Sequence, residues 1–172
     1  MYVLKKLIRA VTFYKRNKIT SEQLKDNSSI IQDMLITQHH WKLAKSVNIY
    51  ESIFKEVSTH ELIHIANQNK EVYYPEEDIE NNHNVDLIII PGVVFDEKCG
   101  RCGRGSGYYD KYLDRIKALN VTTIALAHDL QILPHNYELT NDRWDVSMDV
   151  IITEKRIITP KVMIWYDLTR KV

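Results

Sequence analysis

The sequence predicts an α/β protein in which helices cover both faces of a mainly parallel sheet, a three-layer α/β/α arrangement of the Rossmann-like open type. One observation is the short apolar run at 86–90, which is rich in β-branched side chains. It is too brief for a free-standing helix and is typical of a strand buried on both faces. The other is the alternation of helical and strand-like segments along the chain, which indicates strand–helix–strand units.

Length and composition favour one domain and a small-molecule ligand. The 172 residues can bury a substantial core, and the fractions of hydrophobic (44%) and charged (27%) residues are those of an ordinary globular protein. The 23 basic and 23 acidic side chains balance, which argues against a nucleic-acid or membrane-surface partner. No apolar run approaches the roughly 18 residues of a membrane span, and the N-terminus lacks a signal-peptide core. We therefore expect a cytoplasmic monomer.

The N-terminal segment 2–16 predicts an amphipathic helix. Its apolar residues recur every three or four positions and would form one buried stripe: Leu4, Leu7, Ile8, Val11 and Tyr14. Lys5 and Arg9 lie one turn apart on the same helix. Spacing alone favours a solvated cationic face for this pair, because like charges one turn apart repel each other.

Capping patterns and short apolar runs place the next elements. The S/T-x-x-E/Q patterns that begin at Thr20 and Ser58 predict helices running to about Leu35 and Asn69. Strand-like segments occupy 46–52 and 70–74, and a proline follows the second of them.

The same alternation continues to the C-terminus. The polar run 76–84 predicts a loop within the single domain. A helix is predicted over 108–119, followed by strands over 121–127 and 150–152 and an edge strand over 162–166.

Four glycines follow the central strand, at positions 100, 103, 105 and 107, and Arg101 and Arg104 lie between them. Glycine lets the backbone approach a ligand closely, so that successive N–H groups can converge on an anion. Two guanidinium groups and the start of the following helix add positive charge. The order of strand, glycine-arginine loop and helix favours a phosphate site over the alternative, a surface turn with solvated cations. The spacing matches neither G-x-G-x-x-G nor the P-loop pattern.

The stretch from Asp86 to Asp110 resembles the 5-formyltetrahydrofolate cyclo-ligase (methenyltetrahydrofolate synthetase) family. The resemblance is carried by DLIIIPGVVFD at 86–96 and GRCGRGSGYYD at 100–110. The chain departs from the family at Cys102, usually leucine, and at Ser106, often lysine or glycine. The resemblance implies a ligase of folate one-carbon metabolism. It would use ATP and Mg²⁺ to convert 5-formyltetrahydrofolate, free or polyglutamylated, into 5,10-methenyltetrahydrofolate with release of ADP and phosphate.

The resemblance also implies roles for individual residues. In the family a K-x-x-x-R pair, matched here by Lys5 and Arg9, reaches the nucleotide phosphates. The nucleotide site would continue through Arg101, Gly103, Arg104, Gly105, Ser106, Gly107, Tyr108 and Tyr109. The folate would contact Phe54, Glu56 and Tyr109, and Mg²⁺ would bind Asp110 and Asp149, with Asp145 as the competing candidate. The catalytic residues would be Arg104 and Asp110, since phosphoryl transfer depends on positioning and charge neutralisation.

Two other classes of function remain open at this stage. One is a catalytically weak or inactive nucleotide-binding relative on the same fold. The other is a thiol-switch protein that uses Cys99 and Cys102. Their C-x-x-C spacing suits half a zinc site, a redox pair or chance. No second cysteine pair completes a zinc site, and redox cysteines normally lie at a helix start, so we interpret them as dispensable thiols.

The short segment 76–85 generates a prediction about folate affinity. Relatives usually carry a much longer, strand-like excursion here beside the folate, whereas this stretch has one apolar side chain, Ile79, before Val85. Such a polar stretch cannot rebuild the missing wall. We therefore predict ordinary ATP use but a raised KM for 5-formyltetrahydrofolate, measured by steady-state kinetics beside a relative with the longer segment. A folate KM as low as that relative's would contradict this.

Overall fold

A six-stranded sheet forms the centre of the protein in this computed structural model, which describes residues 2–75, 85–116, 121–139 and 146–160. The strand order is β2-β1-β3-β6-β7-β8, and neighbours are parallel except β7 and β8. These strands are β1 Ser46–Ile49, β2 Glu71–Tyr73, β3 Leu87–Ile90, β6 Thr122–Leu126, β7 Val150–Ile152 and β8 Ile157–Ile158. A separate antiparallel hairpin pairs β4 Val94–Phe95 with β5 Arg101–Cys102. The predicted α/β fold with a mainly parallel sheet is confirmed.

Five helices are described: α1 Tyr2–Asn17, α2 Ser21–Thr37, α3 His39–Leu43, α4 His60–Ala66 and α5 Tyr108–Ile116. A 3₁₀ turn covers Asp129–Gln131. None of the helices in the described ranges has the length and apolar character needed to cross a bilayer. The sequence did not predict α3, β8 or the hairpin. The predicted edge strand at 162–166, the loop 76–84 and the end of the helix at 117–119 lie outside the described residues.

The central strand β3 is buried on both sides, as its composition predicts. Leu87 and Ile89 pack in one apolar cluster with residues of α2 and α4, whereas Ile88 and Ile90 pack in a second cluster with residues of α5. Each of these four side chains is fully buried. Such burial contributes roughly 1.5–3 kcal/mol per side chain to the free energy of unfolding. The two clusters hold helices on opposite faces of the sheet and so make the three layers.

Two aspartates join neighbouring strands at the amino edge of the sheet. Asp86 Oδ2 accepts hydrogen bonds from the backbone N–H groups of Lys45 (2.8 Å) and Ser46 (3.0 Å), and these bonds lower the pKa of Asp86. Asp149 Oδ2 accepts from the backbone N–H of Thr123 (2.7 Å) and from its hydroxyl (2.9 Å). The first carboxylate ties the start of β3 to the start of β1, and the second ties the start of β7 to that of β6.

The predicted buried stripe of α1 is wrong. Leu4, Leu7, Val11 and Tyr14 are all exposed, with Leu7 at 60% and Tyr14 at 64%. The face turned inward instead carries partly buried Ile8, Arg9 and Phe13 and buried Thr12 and Arg16. The reason is that α1 does not cover the sheet but lies against β4 and the 3₁₀ turn. In that position, the face of α1 that packs against the rest of the protein contains both polar and apolar residues.

The two predicted capping boxes have different outcomes. At Thr20 both reciprocal hydrogen bonds form with Gln23, so the start of α2 is confirmed. At Ser58 the prediction is wrong, because α4 begins at His60 with Thr59 as its N-cap and no side-chain capping bond. The Thr59 hydroxyl instead donates to the carbonyl oxygen of Tyr50 at 2.7 Å, which fastens the helix start to the end of β1.

The hairpin of β4 and β5 carries α1 on its outer side. Val93, Val94 and Cys102 form a small buried cluster with Leu139, and Ile8 and Phe13 of α1 pack against it. Because the hairpin leads directly into the glycine-rich segment, its packing determines where that segment begins.

A buried histidine makes stability depend on pH. His128 is fully buried, and burial lowers its pKa to about 4, although the Lys55 carbonyl opposes the shift. Its ring is therefore neutral in the folded protein at pH 7, whereas the unfolded chain takes up a proton near pH 6.5. The resulting loss of stability begins as the pH falls through about 6.5 and is complete near 4, reaching about 3 kcal/mol.

We predict that His128→Gln removes this part of the acid sensitivity. The free energy of unfolding would be measured by urea denaturation at about pH 7 and about pH 4.5 for both proteins, so that carboxylate titration cancels in the comparison. Equal losses in the wild type and the variant would contradict the assignment to His128.

Candidate functional site

A cavity of about 310 Å³ opens at the carboxyl ends of β1 and β3. Ligands of open α/β sheets gather at this edge. The expectation that Glu56, Pro75, Gly92 and the glycine-rich loop line one crevice is confirmed. The remaining lining residues before the loop are Tyr50, Glu51, Ile53 and Pro91, and those in and after it are Arg101, Gly103, Arg104, Gly105, Ser106, Gly107, Tyr108, Tyr109 and Asp110.

Arg101 holds the glycine-rich loop in place through contacts with the residues on either side of it. Its Nε donates to the carbonyl oxygen of Pro91 at 3.0 Å, and its Nη1 donates to Asp110 Oδ1 at 2.9 Å. The guanidinium carbon lies 5.2 Å from the centre of the Tyr109 ring. Burial lowers the pKa of Arg101, and the Asp110 carboxylate opposes that shift. Arg101 therefore links the end of β3 to the start of α5 through two of its N–H donors.

Arg9 reaches the loop from α1. A Cβ atom at Gly105 would lie 3.4 Å from Arg9 Nη1, so the guanidinium packs against the loop backbone. Gly105 also has a φ of +100°, a conformation that other residues rarely adopt. Arg9 Nε donates to the sulfur of Cys102 at 3.2 Å. Lys5 is partly buried one helical turn earlier, but neither Lys5 nor Arg9 is among the residues that line the cavity.

Arg104 and Glu56 form an ion pair across the cavity. Arg104 Nη2 lies 2.9 Å from Glu56 Oε1, and the two side chains are 36% and 7% exposed. The second carboxylate oxygen of Glu56 accepts from the backbone N–H of Ile53 at 3.1 Å. The pair joins the segment after β1, predicted to contact folate, to the loop predicted to bind nucleotide.

The structure corrects the placement of Phe54. Its side chain is 80% exposed and does not line the cavity, whereas Ile53, one residue earlier, does. Phe54 has a φ of +55°, which costs an aromatic residue on the order of 1 kcal/mol. Its ring lies 5.0 Å from the guanidinium carbon of Arg104. Phe54 therefore touches the ion pair from outside the cavity.

The remaining predicted residues lie where the loop enters α5. Ser106, Gly107, Tyr108 and Tyr109 all line the cavity. The Ser106 hydroxyl oxygen accepts from the backbone N–H of Tyr108 at 3.4 Å, at the start of the helix. The Tyr108 and Tyr109 rings make an edge-to-face contact at 5.2 Å. These residues bring the positive end of a helix dipole beside the loop.

The structure does not bring the two predicted magnesium ligands together. Asp110 lines the cavity but is paired with Arg101. Asp149 precedes β7 at the amino edge of the sheet, the edge opposite the cavity, and is bound to Thr123. This placement argues against Asp149 as a ligand of a metal at the glycine-rich loop. Asp145, the competing candidate, lies outside the described residues, and within the described ranges no group of three potential ligands forms a metal site.

Both cysteines are buried with free thiols. Cys99 precedes β5 and Cys102 lies within it. Burial raises the pKa of Cys99 to about 12, the opposite of what a reactive thiolate needs. These observations argue against the thiol-switch alternative.

Arg16 is the residue of this region that the sequence interpretation missed. It is 1% exposed on α1, and its Nη1 donates to the carbonyl oxygen of Gly92 at 3.4 Å. Burial lowers its pKa, and the nearby Glu56 carboxylate opposes the shift. The signal was present in the sequence, because Arg16 follows Arg9 by two helical turns and so shares its face.

Comparison with known proteins agrees with this architecture. The model for the 5-formyltetrahydrofolate cyclo-ligase family matches residues 76–154. A probable 5-formyltetrahydrofolate cyclo-ligase of Schizosaccharomyces pombe is 26% identical over 202 aligned residues, which cover 92% of this chain and 98% of that protein. The solved 5,10-methenyltetrahydrofolate synthetase of Aquifex aeolicus has a TM-score of 0.77 at 25% identity and covers 92% of this chain and 94% of its own. The chain is thus similar, over most of its length, to 5-formyltetrahydrofolate cyclo-ligases.

Two further proteins show a similar extent of likeness. The mouse 5-formyltetrahydrofolate cyclo-ligase is 25% identical over 192 residues, covering 87% of this chain and 93% of that protein. The 5,10-methenyltetrahydrofolate synthetase of Mycoplasma pneumoniae shares the fold, with a TM-score of 0.72 at 22% identity over 87% of this chain and 98% of its own. The resemblance inferred from the segment 86–110 is thus confirmed and extends well beyond it.

The position of Asp149 leads to a prediction that distinguishes a structural role of this carboxylate from a metal-binding role. We predict that Asp149→Asn lowers the free energy of unfolding by about 1 kcal/mol, because it weakens charge-assisted hydrogen bonds to Thr123. The Mg²⁺ concentration needed for half-maximal turnover should not change. Urea denaturation and a Mg²⁺ titration of activity test the two parts. A raised Mg²⁺ requirement in a fully stable variant would restore Asp149 to the metal site.

Proposed function

We propose that this protein catalyses the ATP-dependent cyclisation of 5-formyltetrahydrofolate to 5,10-methenyltetrahydrofolate, acting as a cytoplasmic monomer in one-carbon metabolism. The observation that carries the proposal is a single cavity with a glycine-arginine loop on one side and a buried carboxylate, Glu56, on the other. Phosphates suit the first side and a ligand rich in N–H donors suits the second. Similarity to 5-formyltetrahydrofolate cyclo-ligases over most of the chain supports this pairing of substrates.

The loop side fits a nucleotide triphosphate. Arg104 is partly exposed into the cavity between two glycines, and Gly105 and Gly107 adopt positive φ, which lets loop N–H groups converge. Arg9 packs on the same loop. The α5 N-terminus adds favourable potential for an anion. Arg104 and the loop backbone would hold the phosphates, while Arg101 would keep the loop in place.

Magnesium fits this site as part of the Mg-ATP substrate. Mg²⁺ at phosphates commonly uses one or two carboxylates together with water and substrate oxygens. Asp110 is the carboxylate of the described residues that lies beside the loop, and its pairing with Arg101 leaves one oxygen without that contact. The ion would therefore arrive with the nucleotide rather than occupy a preformed cage of protein ligands.

The opposite side suits a pterin-like ring. Glu56 offers an acceptor that is almost fully buried, and Ile53 and Tyr109 add apolar and aromatic surface on either side. Glu56 accepts hydrogen bonds from Arg104 and from the backbone N–H of Ile53, so a substrate that donates N–H groups would take the place of Arg104 at this carboxylate. Glu56 and Tyr109 would thus orient the folate with its formyl group toward the loop.

The proposed chemistry needs no covalent protein nucleophile. The formyl oxygen attacks the γ-phosphorus of ATP, and the bond to ADP breaks. The N10 amine of the same substrate then attacks the formyl carbon, the C–O bond breaks with release of phosphate, and the N10 proton is lost. Arg104 and the loop N–H groups would stabilise charge during phosphoryl transfer. Ring closure is intramolecular, so a cavity that holds the substrate folded lowers its entropic barrier.

Arg104→Ala tests the nucleotide assignment. A charge-assisted hydrogen bond to phosphate contributes roughly 1.5–3 kcal/mol, so kcat/KM for ATP should fall about ten- to a hundredfold. Formation of the methenyl chromophore from ATP, Mg²⁺ and 5-formyltetrahydrofolate is the measurement. Lys111→Ala is the matched control, because it removes one exposed cation from α5 that does not line the cavity.

The outcomes separate the proposals. Unchanged ATP use in folded Arg104→Ala would refute the role of Arg104. A wild-type protein that binds ATP but forms no methenyl product at saturating substrate would favour the alternative, a nucleotide-binding relative without this activity.

A further inference from the structure

The Arg104–Glu56 ion pair poses a conflict within the proposed function, on which the following inference rests. Both groups line the cavity, at the nucleotide side and the folate side respectively. In the structure they satisfy each other at 2.9 Å. Phosphates and folate would each require one member of the pair. The contact between them must therefore respond to the ligands.

Arg104 is the less constrained member of the pair, so we expect its side chain to move when ligands bind. It lies between Gly103 and Gly105, is more than a third exposed, and makes its described side-chain contacts with Glu56 and the Phe54 ring. Glu56 is held in place, because it is almost fully buried and its other oxygen accepts from the backbone N–H of Ile53. A phosphate on the loop offers Arg104 a more highly charged partner within reach of the same backbone position.

We propose that Arg104 is an exchangeable partner: nucleotide phosphates draw it away from Glu56, and the released carboxylate then accepts hydrogen bonds from the folate. ATP and folate binding are thereby positively coupled, and the Arg104–Glu56 ion pair weakens the binding of each substrate alone.

Arg16 makes the exchange feasible for Glu56. A buried carboxylate that loses its only cation is strongly destabilised. Arg16 is 1% exposed, sits on the inward face of α1 and interacts electrostatically with Glu56. Among the described residues its Nε has no hydrogen-bond partner, and the bond from its Nη1 to the Gly92 carbonyl is long at 3.4 Å. When Arg104 leaves, Arg16 remains bonded to Gly92, which lines the same cavity as Glu56, and so keeps a positive charge in this region.

The exchange is tested by whether Glu56→Gln raises or lowers the affinity for an ATP analogue. If nucleotide must first break the ion pair, Glu56→Gln should tighten binding of a non-hydrolysable ATP analogue with Mg²⁺, in the absence of folate, by about three- to tenfold. If Arg104 instead binds Glu56 and phosphate together, Glu56 helps to orient Arg104, and the same substitution should weaken binding. Calorimetric titration of the intact chain distinguishes the two.

Glu51→Gln is the matched control. Glu51 lines the same cavity, is exposed, and has no ion pair with Arg104 in the part of the chain that the structure describes. The Glu51→Gln variant loses the same negative charge as Glu56→Gln. Its affinity for the ATP analogue therefore measures the effect of making the cavity less negative, without breaking the ion pair. We expect its affinity for the analogue to stay within about twofold of the wild type. Equal or weaker binding by Glu56→Gln than by Glu51→Gln would overturn the proposal.

A second measurement follows the coupling from the folate side. The ATP analogue should tighten 5-formyltetrahydrofolate binding to the wild type, by the same factor that folate tightens the analogue. Arg104→Ala should bind folate alone more tightly than the wild type does, because Glu56 is already released. Weaker folate binding by this variant would overturn the exchange.

These binding results are independent of turnover. Methenyl product without the Glu56→Gln gain would leave the proposed function standing and remove the exchange. The gain without any product would leave the exchange standing in a nucleotide- and folate-binding protein that is not a cyclo-ligase. A wild type that binds neither substrate would remove both.

Discussion

The ion pair between Arg101 and Asp110 is the interaction on which the candidate site depends. The Arg101 side chain is 4% exposed, and loss of one partner from such a pair typically costs about 3–5 kcal/mol, because it leaves a buried charge uncompensated. Together with the bond to the Pro91 carbonyl, the pair fixes three points: the end of β3, the strand β5 and the start of α5. The glycine-rich loop spans the interval between two of these points. Its ends are rigid, and the glycines provide freedom only between them.

Much of the fold follows from local signals. The β-branched run at 87–90 and the reciprocal bonds at Thr20 are properties of neighbouring residues, and the structure contains both. The errors occur where a distant contact decides. α1 packs on a hairpin rather than on the sheet, so its inward face differs from its most apolar face. The Thr59 hydroxyl is drawn to the Tyr50 carbonyl, and no pattern within the segment encodes that choice.

In the candidate site, too, some features follow from local sequence and others depend on distant contacts. A loop after a buried strand predicted the cavity, because the carboxyl ends of parallel strands share an edge. The function of a given charged residue was harder to foresee. Asp149 has the chemistry of a metal ligand, but it precedes its strand, so the parallel register puts it at the edge occupied by Asp86. Arg101 has the chemistry of a phosphate ligand, but the hairpin buries it. Residue type indicates what a group can do, and topology decides where it does so.

The site joins parts of the chain that are far apart in sequence. Arg9 contacts Cys102 across 93 positions, and Glu56 meets Arg104 across 48. During synthesis on the ribosome, the first helix and the segment after β1 must therefore wait for the glycine-rich loop before any of these contacts can form. Such non-local pairing slows folding, because the chain loses conformational entropy before it gains the favourable energy of the contacts. A ligand that recognises the assembled cavity binds only chains that have completed this step, so it stabilises the whole domain against unfolding rather than one loop.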